Sequence, residues 1–271
     1  MPELIIKPVE TRRERKQFLH LPWKLYHGDA NWIPPLRLNQ KELVGYKRHP
    51  FYEDADVQTF LAWRGNEVCG RIAAIVNHVH NRRFKEQRGF FGFFESINDQ
   101  QVASGLFDTA KAWLAERDIQ SMRGPMNPSF NYEIGLLVDG FDSPPTFMMT
   151  YNPPFYEQLI EEYGFRKEQD LYAYWGHVDM LETLDKKIAF VIEESTRRFR
   201  FKLRRLDKSR FDEDIRTFLK IYNDANGAHW GFVPMSEGEI RHMSKGMRHL
   251  ITPEMTSFAE VDGRPVGAVF G

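Results

Sequence analysis

The stretch RGFFGFFESINDQQVASG, residues 88–105, indicates the fold. Its first part, Gly89–Glu95, combines aromatic residues with two glycines, which predicts a buried strand whose backbone another chain or a ligand can approach closely. Asn98 or Asp99 can then cap a helix that runs to about Arg117 with apolar residues at helical spacing. A strand that leads directly into a long helix packed on its sheet indicates the α/β class.

Upstream of this stretch the sequence predicts a strand, two helices and a hairpin. Leu4–Val9 is the strand, and the charged residues 11–16 lead into an amphipathic helix. A second, short helix is predicted over Leu36–Tyr46. The runs TFLAW and VCGRIAAIV, within residues 58–76, predict two strands joined at Arg64–Glu67, which is a turn of the hairpin type.

Downstream of the long helix the predicted elements are a strand, a helix and a closing strand. Ile119–Pro125 is the first strand, and the segment after it is irregular because two prolines interrupt it. Pro153 and Pro154 open a helix that ends at Tyr163–Gly164, with glycine at the usual C-terminal position. Phe165–Trp175 is the closing strand. The predicted order is therefore β-α-α-β-β-β-α-β-α-β.

The last third of the chain repeats the beginning of this order. A connecting helix over Thr183–Arg198 leads to a strand at Phe199–Leu206. A further amphipathic helix follows, and a capping box at Ser236–Glu239 opens another helix whose apolar positions run to Leu250. The last segment, Ser257–Gly271, is predicted as a hairpin with an Asp-Gly turn.

The two predicted hairpins match when one is laid on the other. Ala62 and Gly70 flank the first turn as Ala259 and Gly267 flank the second, and both pairs lie 197 positions apart (259 minus 62 and 267 minus 70). Because this offset has the length of a domain, we expect a duplicated unit whose second copy is incomplete at Gly271. The alternative is coincidence, since hairpins are common.

Composition limits the classes of partner. Lys and Arg total 37 against 38 Asp and Glu, and this balance supplies no global field for nucleic acid or an anionic membrane, so such a partner would need a local patch. The single cysteine, Cys69, cannot form an internal disulfide, which favours the cytoplasm and a core role for this thiol. No uninterrupted apolar run reaches about 18 residues, so we expect neither a membrane span nor a signal peptide.

Three short motifs, together with the order of elements, resemble a known family. RGPMNP at 123–128, YNPPFY at 151–156 and YGF at 163–165 resemble the GNAT superfamily of acyl-CoA-dependent N-acyltransferases and, more narrowly, bacterial tandem-GNAT proteins. The resemblance implies an α/β fold with a mixed sheet. The implied parts are a complete GNAT-like domain, a connecting helix and a partial second domain, at residues 1–178, 179–198 and 199–271.

The resemblance implies acetyl-CoA or another acyl-CoA as co-substrate. In the superfamily, the strand before the long helix splays from its neighbour and offers its backbone to the pantetheine arm, a position that corresponds here to Phe94, Glu95 and Ser96. Asn152 corresponds to an asparagine that touches this arm in relatives, although its side chain could equally cap the following helix.

A phosphate loop is implied at the start of the long helix. In the superfamily this loop has the sequence pattern Gln/Arg-x-x-Gly-x-Gly/Ala. Free N–H groups at the start of the helix attract the pyrophosphate. The implied ligands here are Gln100, Ala103 and Gly105. Ala103 stands where the first glycine belongs and Asp99 places a carboxylate at the helix start, so an ordinary capped core helix is the alternative.

The implied catalytic groups are one tyrosine and two glutamates. Where the superfamily often has a tyrosine that protonates the leaving thiolate, this chain has Ile160; Tyr156, one helical turn earlier, could donate the proton or simply pack. Deprotonating an ammonium acceptor requires a base, and Glu95 and Glu133 are the candidates. The alternative for each glutamate is a solvated surface position.

Two weaker patterns suggest other ligands. His78 and His80 would share one face of an extended segment, but zinc is disfavoured because no cysteine or carboxylate partner is near in sequence, and no metal is expected. Basic residues alternate with apolar ones over Arg197–Arg205. That strand would bind neighbouring carboxylates, a CoA phosphate or an RNA backbone.

Together these features predict an N-acyltransferase that acts on a small-molecule or peptide amine, with no membrane partner and with nucleic acid disfavoured. The alternative function is a non-catalytic GNAT-like pseudo-domain that supports the second domain, which the altered glycine loop and Ile160 favour. The acceptor amine, the acyl chain and the oligomeric state are not indicated.

Overall fold

A computed structural model describes residues 2–177, 179–180, 185–248 and 251–271. The chain forms two compact units, one of Met1–Gln169 with Trp230–Val233 and one of Asp170–His229 with Pro234–Gly271. The first unit has a five-stranded sheet that contains antiparallel and parallel pairs, with helices on both faces. The predicted α/β class with a mixed sheet is therefore confirmed.

The first unit follows the predicted order closely. Its sheet order is β1-β2-β3-β4-β5, and only β4 and β5 are parallel. The elements are β1 (Leu4–Pro8), α1 (Arg12–Leu25), α2 (Arg37–Leu43), β2 (Ala55–Arg64), β3 (Glu67–Asn77), α3 (His78–Phe84), β4 (Arg88–Ser96), α4 (Gln100–Ala115), β5 (Ser121–Arg123), β6 (Met126–Asn127), β7 (Glu133–Ile134) and α5 (Phe155–Tyr163).

Local capping explains where the two long helices begin. Thr11 and Glu14 form a capping box at the start of α1, so the charged residues 11–16 open this helix rather than precede it. Asp99 accepts hydrogen bonds from the N–H groups of two residues in the first turn of α4. The apolar stripe of α4 packs on one sheet face together with α5, while α1 and α2 cover the other face.

A β-bulge interrupts β4 in the middle of the sheet. The register between β3 and β4 shifts between Arg71 and Ala73, so Phe93 and Phe94 both lie opposite Ile72. Phe93 adopts a left-handed backbone conformation, with φ of 50°, which is uncommon for a residue with a side chain. Bulges of this kind redirect side chains and often lie beside active sites.

The strands β4 and β5 form a short parallel contact. Pairing joins Arg88–Phe90 to Ser121–Arg123. β5 ends at Arg123, but the chain that follows stays beside β4, where Oδ1 of Asn127 on β6 accepts a hydrogen bond from the N–H of Phe93 at 2.6 Å, and β4 continues to Ser96. The splayed strand that the GNAT resemblance implies therefore stays a prediction.

Gly92 allows the close backbone approach between β4 and β6. A methyl group on Gly92 would lie 1.7 Å from the carbonyl oxygen of Met126. We therefore expect Gly92→Ala to lower the free energy of unfolding by about 3 kcal/mol, at the upper end for overpacking, because a backbone carbonyl cannot rotate aside. Urea unfolding measures the change. The matched control is Gly246→Ala, where open space surrounds the position, and an equal loss in both variants would contradict the prediction.

Two sequence predictions for the first unit are wrong. His78 and His80 lie on helix α3 rather than on an extended segment, because the side chain of Asn77 caps a helix there. The imidazole of His78 contacts Asp56, whereas His80 is buried and contacts Glu86, so the two rings do not form a shared site. Two residues apart on a helix, side chains point to opposite sides.

The predicted closing strand at Phe165–Trp175 is also wrong, because the described residues of this segment contain no strand. Phe165 packs against the rings of Phe91 and Phe107, but the aromatic residues that follow are exposed. Tyr172, Tyr174 and Trp175 are 76%, 92% and 83% exposed. An extended segment becomes a strand only when a neighbouring strand pairs with it through backbone hydrogen bonds.

The second unit contains a smaller antiparallel sheet with two packed helices. Its elements are α6 (Lys186–Phe199), β8 (Lys202–Arg205), α7 (Phe211–Asn226), α8 (Glu237–Met247), β9 (Thr256–Val261) and β10 (Arg264–Phe270). The predicted capping box and Asp-Gly turn are confirmed, while Phe199 ends a helix instead of starting a strand. Residues 183–184 of the predicted connecting helix and Leu250 lie outside the described residues.

The strand registers of the two units coincide. In each unit an apolar residue, an alanine and a glycine lie opposite one another on three adjacent strands: Ile6, Ala62 and Gly70 in the first, and Leu203, Ala259 and Gly267 in the second. The offset is 197 positions at each strand (203 minus 6, 259 minus 62, 267 minus 70). Both sheets also have a register shift next to this glycine, at residues 69 and 266.

Candidate active site

A solvent-open cleft of about 110 Å³ lies in the first unit, beside the bulge of β4 and the short strand β6. Five of the residues predicted to act in catalysis or in donor binding line it: Phe94, Glu95, Glu133, Asn152 and Tyr156. The other lining residues come mainly from the loop before α2 and from the segment between β7 and α5.

Glu95 is the centre of a buried hydrogen-bond network. Its Oε2 accepts hydrogen bonds from the hydroxyl groups of Tyr26 at 2.9 Å and Tyr156 at 2.7 Å. Its Oε1 faces the guanidinium of Arg71 at 3.4 Å. Burial raises the pKa of Glu95, opposed by Arg71 and the two hydroxyl donors. The sequence analysis named Glu95 and Tyr156 but missed their two partners.

Arg71 is a buried cation in the middle of the sheet. It is 5% exposed, donates from Nη1 to the carbonyl oxygen of Phe18 at 2.7 Å, and lies 4.9 Å from the centre of the Phe18 ring. A charged residue inside the apolar run VCGRIAAIV was the available sequence signal, because arginine is rarely buried without a partner. Tyr26 gave no such signal, since it ends an ordinary amphipathic helix.

Glu133 is the second carboxylate in the cleft. It is half-buried on the short strand β7, and its contact with the side-chain amide of Asn127 is long, at 3.5 Å. Burial raises the pKa of Glu133, opposed by the hydrogen bond from Asn127 and the charge of Arg71, and the negative charge of Glu95 adds a smaller rise. A carboxylate with a raised pKa that faces a cleft is suited to accept a proton.

Tyr156 connects the network to the backbone of β4. Its hydroxyl accepts a hydrogen bond from the N–H of Ser96 at 2.9 Å and donates to Glu95. Burial, followed by the charge of Glu95, raises the pKa of Tyr156 well above its usual value, so the phenol keeps its proton at neutral pH. Ser96 contributes through this backbone contact, while its own hydroxyl donates to the carbonyl of Ile97.

Phe94 and Asn152 form parts of the cleft wall. The ring of Phe94 stacks on Phe107 and meets the edge of Tyr156, which places it in the core as well as at the cleft. Asn152 accepts from the N–H of Leu137 at 2.7 Å and donates to the carbonyl of the same residue at 3.1 Å. Its amide therefore holds the loop that borders the cleft, and contact with a donor arm stays a prediction.

The predicted phosphate ligands lie within helix α4 rather than in a loop. Ala103 is fully buried, and a methyl group on Gly105 would lie 2.7 Å from a side-chain carbon of Ile6. Gln100 donates to the carbonyl of Leu159 at 3.1 Å. Among the described residues, none of these three lines the cleft, and their role in cofactor binding stays a prediction.

The start of α4 already holds a carboxylate. Asp99 caps the first turn and forms an ion pair with Arg64 at 2.8 Å. This arrangement satisfies the same N–H groups that an anion would use. A pyrophosphate at this helix start would therefore have to displace or approach a negative charge.

The basic strand of the second unit is partly neutralised. Arg204 contacts Asp214 at 2.7 Å and Glu260 at 2.6 Å. These partners raise the pKa of Arg204 further, opposed by partial burial. Of the three ligands predicted for this strand, Arg204 therefore binds neighbouring carboxylates.

The described residues contain neither a candidate metal cluster nor a helix suited to cross a membrane. Within residues 2–177, 179–180, 185–248 and 251–271, no cluster of three or more His, Cys, Asp or Glu side chains has the geometry of a metal site. In the same part of the chain, no helix combines the length and the apolar character that crossing a bilayer requires.

Solved structures with a related chain path are acetyltransferases. An aminoglycoside acetyltransferase from an uncultured soil metagenomic sample, in complex with sisomicin, has a TM-score of 0.40 at 10% identity and covers 64% of this chain and 96% of its own. AAC(6')-Iy, in complex with the bisubstrate analogue CoA-S-monomethyl-acetylneamine, has a TM-score of 0.38 at 12% identity and covers 65% and 99%.

No family model matches the chain, but two relatives match nearly all of it. A bacterial ceramide synthase from Caulobacter vibrioides is 36% identical over 270 residues, which are 98% of this chain and 69% of the relative. Protein YghO from Escherichia coli is 31% identical over 269 residues, which are 98% of this chain and 67% of the relative. The chain thus spans about two thirds of each relative, and it belongs to the family that contains this bacterial ceramide synthase and YghO.

Proposed function

We propose that this protein is an N-acyltransferase that forms an amide from an acyl thioester and a long-chain amine. The observation that carries the proposal is that Glu95, Glu133 and Tyr156 line a single cleft beside the bulge of β4. The name of the relative, bacterial ceramide synthase, supports the acceptor class, because a ceramide is the amide of a long-chain amino alcohol.

The proposed donor is acetyl-CoA or a longer acyl-CoA. Its thioester would lie beside the end of β4, where Phe94 and Glu95 line the cleft, since backbone groups at the end of a strand can orient a carrier arm and its carbonyl oxygen. The bulge at Phe93 and Phe94 supports this position because it already redirects the strand toward the cleft.

The cleft residues suit direct transfer. Glu133 takes a proton from the ammonium group of the acceptor, and the free amine attacks the thioester carbonyl carbon. The new C–N bond forms, Glu95 accepts a second proton from the nitrogen, and the C–S bond breaks. Tyr156 gives its proton to the departing thiolate and regains one through Glu95, with which it shares a hydrogen bond of 2.7 Å. The balance is an amide, a thiol and one released proton.

The reaction can be tested directly on the purified protein. We expect free thiol and a mass-identified amide when the protein is mixed with palmitoyl-CoA and sphinganine, and little product when either reactant is omitted or when the amine is short. The measurement combines a thiol-reactive dye with mass spectrometry. Absence of thiol release, together with absence of acyl-CoA binding by calorimetry, would contradict the proposal.

One observation favours a second candidate function, a non-catalytic pseudo-domain. Asp99 occupies the helix start with Arg64, and Ala103 is fully buried where the family loop has glycine. If the first unit binds CoA weakly for this reason, Ala103→Gly should raise CoA affinity in calorimetry. If the variant gains no affinity and the unaltered protein has none, the pseudo-domain accounts better for the first unit.

We also propose the tandem arrangement, with a GNAT-like domain at 1–178, a connecting helix at 179–198 and a partial second domain at 199–271. The shared offset of 197 positions across three strands and one register shift supports duplication, because independent hairpins would not share all of these positions.

A further inference from the structure

Two loops of the first unit expose large apolar side chains at the mouth of the cleft. One loop precedes and enters α2, and the other lies between β7 and α5. Their exposed members are Ile33, Leu36, Leu38, Phe147, Met148 and Met149, which we call the apolar rim. Leu36 is 80% exposed and Phe147 is 79% exposed. A cluster of large apolar side chains in water marks an interaction site rather than ordinary surface.

Hydrogen bonds join the two loops. The side-chain amide of Asn31 donates to the carbonyl oxygen of Phe141 at 3.0 Å. The hydroxyl of Tyr151 donates to Asp29 at 2.8 Å. The two loops that carry the apolar rim are therefore fixed to each other.

The apolar rim is continuous with the cleft. Ile33 and Met149 belong to the rim and also line the cleft that contains Glu95 and Glu133. An alkyl chain that leaves the cleft would therefore meet apolar side chains before it meets water. A surface of this kind suits a ligand that stays partly in a lipid layer while its polar end reaches the carboxylates.

Cations border the rim on the side of α1 and α2. Lys16, Arg37 and Lys41 are exposed and lie near His20, whose pKa is lowered by burial first and then by these three charges. The guanidinium of Arg37 lies 5.0 Å from the centre of the Trp23 ring. Basic residues next to exposed apolar ones are the pattern by which peripheral proteins bind anionic lipid surfaces.

The opposite loop carries acidic residues. Asp139 and Asp142 are exposed there, while Asp29 is hydrogen-bonded to Tyr151. The charge at the mouth of the cleft is therefore asymmetric, with cations on the side of Leu36 and Leu38. Headgroup contact is expected on that side, and apolar insertion along the whole rim.

We propose that the apolar rim docks the first unit on the surface of an anionic lipid bilayer. Leu36, Phe147 and their neighbours enter the interfacial region, and Arg37 with Lys41 contacts the phosphate headgroups. The total charge of the chain is close to zero, which excludes a long-range attraction of the whole protein to an anionic membrane but not binding through this local surface. The proposal rests on the surface alone and does not require the proposed acyl transfer.

Vesicle sedimentation tests the docking. We expect the protein to sediment with vesicles of equal parts phosphatidylglycerol and phosphatidylcholine, and less with pure phosphatidylcholine. The double variant Leu36→Ser, Phe147→Ser should weaken partitioning at least about tenfold on both vesicle types, because it removes two insertable side chains. Arg37→Glu, Lys41→Glu should weaken binding to the anionic vesicles about tenfold and reduce its salt dependence.

Matched variants control for nonspecific effects. Val266→Ser, Val269→Ser removes two exposed apolar side chains of the second unit, and Lys111→Glu, Arg166→Glu reverses two exposed charges elsewhere in the first unit. Both should sediment like the unaltered protein. Because all altered side chains are exposed, circular dichroism melts should not change.

Three results would overturn the docking proposal. The first is no sedimentation of the unaltered protein with either vesicle type. The second is equal loss in the rim variants and their controls. The third is a dimer in light scattering that Leu36→Ser, Phe147→Ser converts to monomer, which would make a second copy the occupant of the rim. A protein that docks but forms no amide would disprove only the proposed reaction.

Discussion

Replacing Glu133 with glutamine should lower kcat for amide formation by about 10²- to 10⁴-fold, the usual contribution of a general base. Glu133 lines the cleft and is half-buried, and its contact with Asn127 is long, so its carboxylate is available to a substrate. Glutamine preserves the shape of the side chain but cannot accept the proton. KM for the acyl donor should change little, since the donor is proposed to contact β4.

The pH profile gives an independent readout for Glu133. Burial raises the pKa of this carboxyl, and a general base acts only when ionised. In the unaltered protein kcat should therefore rise with pH through this raised pKa and then level off. Glu133→Gln should lose that acid limb together with the activity.

A matched control separates this role from general damage. Glu157→Gln changes an exposed glutamate of α5 and should keep kcat within about twofold, as surface substitutions usually do. If Glu133→Gln keeps full activity while Glu95→Gln abolishes it, the base is Glu95 and the assignment made here is wrong. Thermal melts of all three variants establish that each protein is folded.

Replacing Arg71 with methionine should lower the free energy of unfolding by about 3–5 kcal/mol, because removing one partner of a buried pair leaves the other uncompensated. The side chains of Arg71 and Glu95 are 6% and 12% exposed, and Oε1 of Glu95 lies 3.4 Å from the guanidinium. The variant also loses the hydrogen bond to the carbonyl of Phe18. Urea unfolding followed by tryptophan fluorescence measures the loss.

The loss in Arg71→Met should depend on pH with a defined sign. Burial already raises the pKa of Glu95 above its value in the unfolded chain, and Arg71 opposes this rise. A carboxyl group whose pKa is higher in the folded than in the unfolded protein stabilises the fold at low pH, and this stabilisation is lost as pH rises through the folded-state pKa. Without Arg71 that pKa rises further, so the variant should be closest to the unaltered protein in acid and weakest in alkali.

A double variant tests the pairing itself. Arg71→Met, Glu95→Gln removes both charges, and replacing both members of a buried pair is often nearly neutral. It should therefore be more stable at neutral pH than Arg71→Met alone and should lack the steep pH dependence. If the two substitutions simply add, Arg71 and Glu95 do not act as a pair.

Local sequence signals predicted most elements correctly because their causes are local. The caps at Asp99 and Ser236 act over three residues, and both helices begin where these side chains predict, whereas the cap at Thr11 begins α1 earlier than the sequence analysis predicted. The positive φ values at Asp262 and Gly263 follow from the turn chemistry of the second hairpin. The register of each hairpin follows from its turn.

Contacts between distant parts of the chain explain the failures. His80 is buried on a short helix against Phe90 and Glu86, so the alternation of His78 and His80 carried no information about a shared face. The segment Phe165–Trp175 has strand-forming residues, but pairing depends on a neighbouring chain that no local pattern specifies.

For the candidate site, the sequence by itself determined the residue types and the order of the elements that carry them: Glu95 at the end of a glycine-rich strand, Glu133 after a proline-rich segment, and Tyr156 on a late helix. Only the tertiary structure brought these three into one cleft and added Tyr26 and Arg71, which are 69 and 24 positions from Glu95. The physical reason is range. Caps, turns and side-chain periodicity act within a few residues, whereas the raised pKa of Glu95 arises from burial among strands and helices that meet only in the folded protein.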